Sequence, residues 1–95
     1  MIGDPNEIAA FVLAHIQGAS QAVRNQDIEG VVSCLESAVA LYEEHPSYVQ
    51  EPVSRLRDIL VFIRSARSLC KTLRRPDEDL RLLEQRAEAL RVSLH

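Results

Sequence analysis

The residues best suited to chemistry lie in "LAHIQGAS" at positions 13–20, where one imidazole, His15, is followed by Gly18, Ala19 and Ser20. An imidazole on an open helix face, with small residues one turn further on, can accept a phosphoryl group: its ring nitrogen is nucleophilic near neutral pH and nothing bulky blocks the donor. The other histidines, His45 and His95, are distant in sequence, and none has the helical pairing with carboxylates that a metal site needs. Cys34 and Cys70 fall on apolar faces of separate predicted helices and read as reduced core residues, neither zinc ligands nor a disulfide. Most acids occupy predicted solvent faces or helix starts rather than converging in a pocket, so the sequence predicts no enzyme, no cofactor and no metal.

The stretch resembles histidine phosphotransfer modules, which read roughly as histidine, any residue, apolar residue, lysine, glycine. Ile16 and Gly18 match that pattern, and "SCLES" in the following helix is similar to the Leu-Glu pair of such modules; the resemblance spans about 23 residues. It implies a helical signalling domain. Aligned on Ile16 and Gly18, however, the accepting position holds Ala14 and the lysine position Gln17, and His15 sits one residue, about 100°, around the helix. The implied relative is therefore a degenerate one. Gly18, Ala19 and Ala22 predict instead close approach by a neighbouring helix, since a phosphate loop places its glycines ahead of a helix and not inside it.

The elements that must position these residues are all helical. Only three glycines and four prolines punctuate 95 residues, and no strand-type alternation occurs. Asp4 suits an N-cap, Pro5 a first helical position and Glu7 a capping box, so a first helix is expected over 5–24. Asp27 caps a second over 28–45, ended by Pro46, in which Ile28, Val31, Leu35, Ala38 and Tyr42 recur at steps of three and four. A third is expected over 52–73, with the stripe Leu56, Ile59, Ile63, Ala66, Cys70 and Leu73, and a fourth over 76–92, opened by Pro76 and an acidic first turn. Phe11 and Phe62 are expected as core anchors. The expected fold is all-α, a single domain over residues 1–95, built as an antiparallel bundle of three to four helices. Its fourth helix either closes the bundle, projects from it, or lies at a dimer interface through the seam Leu80, Leu83, Ala87, Leu90 and Leu94.

Charge is unevenly divided. Residues 1–54 carry one arginine against eight acids, and residues 55–95 carry ten basic residues against six acids, leaving −7 and +4. On the third helix Arg64, Arg67, Lys71 and Arg74 follow steps of three and four, and with Arg75 they make a basic ridge beside the apolar stripe. That ridge either pairs internally with Glu36, Glu43 or Glu44 and the acidic start of the fourth helix, or docks an acidic partner. An overall pI of about 5.5 and the lack of aromatics among the arginines argue against nucleic acid, and the lack of bulky hydrophobes beside them argues against a membrane surface. Tyr48, between Pro46 and Pro52, is either a partner anchor or a cap on the end of the core. No signal peptide or membrane-length apolar run is apparent, which with the reduced cysteines points to a cytoplasmic protein. The expected function is a non-enzymatic protein-protein interaction module, an adaptor, assembly subunit or chaperone-like protein that binds a partner's amphipathic helix or acidic segment through Arg64, Arg67, Lys71, Arg74, Arg75, Leu80, Leu83, Leu90, Leu94 and Tyr48. The alternatives are a degenerate phosphotransfer-like domain and a homodimerisation module.

Overall fold

Asp4 begins the first helix by accepting the Asn6 N–H on its carboxylate at 2.9 Å, and Pro5 supplies a first position that needs no hydrogen-bond donor. The computed structural model describes residues 4–93, which form α1 (Pro5–Arg24), α2 (Ile28–Glu44), a single 3-10 turn (Pro46–Tyr48), α3 (Pro52–Leu73) and α4 (Glu78–Ser93), with no strand among them. Asp27 caps α2 by accepting the Gly30 N–H at 3.0 Å. The fourth helix starts two residues later than the sequence predicts. Pro76 belongs to the connection, and Asp77 is the cap whose carbonyl accepts the Arg81 N–H at 2.9 Å.

Two corners share one hydrogen-bond pattern. After α1 the Asp27 N–H donates to the Ala22 carbonyl and the Gln26 N–H to that of Val23; after α3 the Arg75 N–H donates to Cys70 and the Arg74 N–H to Lys71. This is the Schellman arrangement, in which the residue past the helix end turns left-handed. Glycine usually fills that place, but here it holds Gln26 at φ 56° and Arg74 at φ 55°. Each side chain there is strained by roughly 1 kcal/mol or more.

The apolar stripes meet in one buried cluster that draws on all four helices and on Val49. Leu35, Tyr42, Leu56, Ile59 and Ile63 are among its largest members, and no charged residue is buried with them among the described residues. α1 packs most extensively on α2, and α3 on α4, while α2 also meets α3 and α4. A radius of gyration of 12.9 Å is close to the ~12 Å of a compact chain of this length. Gly18 lets α1 approach α2 closely: a β-carbon there would stand 3.0 Å from the Cys34 sulfur.

Phe11 is a correction. It is 41% exposed, because Ile8, Val12, Ile16 and Ala19 take the inward face of α1 and leave Phe11 a quarter-turn outside it. Phe62 packs partly against the core, and the α3 stripe ends at Cys70, with Leu73 exposed. Leu80, Leu83 and Ala87 of α4 are buried at 1%, 2% and 0%. α4 thus closes onto the other helices of its own chain, and each of its two buried leucines contributes about 1.5–3 kcal/mol by leaving water.

Candidate functional site

Exposed cations concentrate on the outer side of α3 and on its seam with α4. A continuous chain of opposite charges runs along that seam. Arg67 bonds Asp77 at 3.2 Å and Glu84 at 2.5 Å; Arg64 bonds Glu84 at 3.4 Å and Glu88 at 3.1 Å; Glu88 in turn takes Arg91 at 2.7 Å. Its hydrogen bonds to Glu84 and then to Asp77 push the Arg67 pKa further up. These pairs are half-exposed, so their worth lies in the network rather than in any one contact.

The acids of α2 have other partners. Arg86 of α4 holds Glu43 through two bonds, at 2.6 and 3.2 Å, with Glu36 3.9 Å away. Arg75 bonds Glu29, and that bond, made at the surface, lowers the Glu29 pKa. The pairing of the α3 ridge with Glu36, Glu43 and Glu44 is therefore corrected: these acids do not reach it, and Glu44 lies instead 3.8 Å from His45. The reason is helical geometry. Glu84 and Glu88 are one turn apart on one flank of α4, and Arg86, two residues or about 200° from Glu84, projects from the other flank toward α2.

Of the ten residues expected at a partner surface, Arg64, Arg67 and Arg75 are engaged in these internal pairs. Lys71 and Arg74 are exposed and make no ion pair among the described residues. Leu80 and Leu83 lie in the core, where a partner could reach them only by opening the fold, and Leu90 packs partly against that core. Leu94, like His95, lies outside the described residues. Tyr48 is half-buried, its ring stacked on His45 with centroids 5.4 Å apart and planes 3° from parallel. In the first helix Ala14 is exposed and His15 half-buried.

What the sequence reading missed is a groove of about 470 Å³ along the first half of α3, from Val53 to Arg64, closed on one edge by the end of α4. Val53 and Val61, 60% and 49% exposed, stand on its floor with Leu60. Arg57, Arg64 and Arg91 rim it, with Glu88 as its acid. The available signal was the row Val53–Arg57–Val61 at steps of four, set off from the buried stripe.

The described residues hold no group of three or more histidines, cysteines or acids able to bind a metal ion, and no helix long and apolar enough to cross a membrane. No protein-family model, no curated protein and no solved structure matches the chain.

Proposed function

We propose that the chain is a non-enzymatic interaction module, a bundle of antiparallel helical neighbours whose α3 face captures an acidic segment of another protein, in the manner of an adaptor, assembly subunit or chaperone. The observation that carries this reading is the cationic surplus left on α3 once the internal pairs are made. Arg57, Lys71 and Arg74 have no ion pair among the described residues, although the chain as a whole is acidic at −3. A solvated ridge that served only to hold α4 would need no more than Arg64 and Arg67. Unpaired cations near such a network speed and orient an encounter with opposite charge more than they add to affinity.

The test is fluorescence anisotropy with a labelled acidic peptide rich in glutamate, titrated with the chain at low and at near-physiological salt. Saturable binding that weakens with salt and is lost in the double variant Lys71→Glu with Arg74→Glu, or in Arg57→Glu, supports the reading. Binding that is absent at both salts, or indifferent to that double variant and to Arg57→Glu, overturns it.

A further inference from the structure

Building on that reading, we infer that the groove beside Val53 and Val61 is the docking site, and that its occupant is an amphipathic helix with acidic residues flanking an apolar stripe. Three observations converge on that occupant. First, Val53 and Val61 are β-branched residues spending more than half and about half of their surface in water on a helix, where alanine, glutamate or lysine would be favoured by some tenths of a kcal/mol each. Local stability is therefore not what they serve. Second, they lie two turns apart, about 12 Å along the axis, with Arg57 between them and Leu60 forming the floor, which matches the spacing of apolar anchors on a second helix laid along α3. Third, the rim is cationic, with Arg57, Arg64 and Arg91 against Glu88 alone. Arg57 has no acid partner among the described residues, and Arg64 and Arg91 share Glu88, at 3.1 and 2.7 Å, with Glu84 a further 3.4 Å partner of Arg64.

The same charges decide between occupants. A second copy of this chain, docked groove to groove about a two-fold axis, would bring Arg57, Arg64 and Arg91 against their own counterparts, and like charges across an interface are strongly unfavourable. An acidic helix removes that repulsion and completes the pairing that Arg57 lacks.

The probe is a synthetic acidic peptide of about 18 residues, long enough to be helical when held in a groove, with leucines along one face and glutamates beside them. Two controls accompany it: one of identical composition with the leucines dispersed around the helix, and one with every glutamate changed to lysine. Supporting results are saturable binding of the first peptide, binding at least about tenfold weaker for the dispersed one, and none for the lysine one. Val61→Asp and Arg57→Glu should each weaken the first peptide by about tenfold or more, with unchanged circular dichroism as the check on folding. Val53→Asp serves as the independent second variant.

Equal binding of the dispersed peptide, lost in Lys71→Glu with Arg74→Glu but indifferent to Val61→Asp and Val53→Asp, overturns the groove and leaves acidic capture intact. Failure of both acidic peptides overturns both readings. A dimer of the chain alone that Val61→Asp converts to a monomer assigns the groove to a second copy and likewise overturns the inference.

Discussion

The Tyr42 hydroxyl is buried with no hydrogen-bond partner in a core that contains no other polar side-chain group of that kind among the described residues, and burial raises its pKa. An orphaned polar group of this sort costs about 1–3 kcal/mol. Tyr42→Phe should therefore raise stability by about 1 kcal/mol in urea unfolding; a loss of that size instead would mean that the hydroxyl is bonded to a trapped water. Gly18 meets the Cys34 sulfur closely enough that an added methyl must push it. Relative to each parent, Gly18→Ala should gain more in a Cys34→Ala background than alone, by up to the ~1 kcal/mol that separates glycine from alanine in a helix. Equal gains would show that the sulfur moves freely. The close approach at Gly18 was legible from three small residues at helical spacing, but Phe11 was not placed correctly. Large aromatic residues are buried so often that size outweighed its position, and the face of α1 was already filled by Ile8, Val12 and Ile16.

At the scale of elements, the caps could be read with little error, since Asp4, Asp27 and Pro46 announce helix ends through the hydrogen bonds they make or forbid. The partner of each charged face could not. Whether Arg64 and Arg67 meet α2 or α4 depends on which helix lies beside them, and charge alone allows either. The left-handed corners were equally hidden, because glycine, their usual mark, is missing from both. Gln26→Gly should raise stability by up to about 1 kcal/mol through relief of that strain, measured against wild type by thermal unfolding. Leu83→Ala should cost about 2–5 kcal/mol, the loss expected when a buried leucine leaves a cavity in a core. Were Leu83 instead a contact between subunits, the variant would change mass and its concentration dependence while leaving the monomer's stability near wild type. Where α2 meets the α3–α4 connection, the Arg75 hydrogen bond sets the Glu29 carboxyl below its ordinary range. The pairing therefore adds stability above the unfolded pKa of about 4.3 and loses it as pH falls through the lower folded value. Arg75→Gln should move the Glu29 midpoint back upward in an NMR titration, and a midpoint that stays put would remove Arg75 as the cause.

For the molecule as a whole, the division of charge along the sequence has a largely internal meaning. The acidic first half and basic second half meet at Glu29–Arg75 and at Glu43–Arg86, so much of the asymmetry is consumed in joining α2 to the α3–α4 corner and to α4. The remainder, which on the outer side of α3 is Arg57, Lys71 and Arg74, is what the proposed partner would meet. That remainder is a difference between two larger quantities, and a count of charges along the chain cannot supply it without the pairing. The burial of Cys70 carries a further, practical consequence. Its thiol lies within the last turn of α3, 1% exposed, with its pKa raised by burial, while its carbonyl is locked by the Arg75 amide and Cys34 is only half-covered. A thiol so placed reacts only during the moments when its surroundings part. In a Cys34→Ala background, the alkylation rate of Cys70 is thus a clock for how often the α3–α4 corner comes open, and a partner that holds that corner shut would slow it.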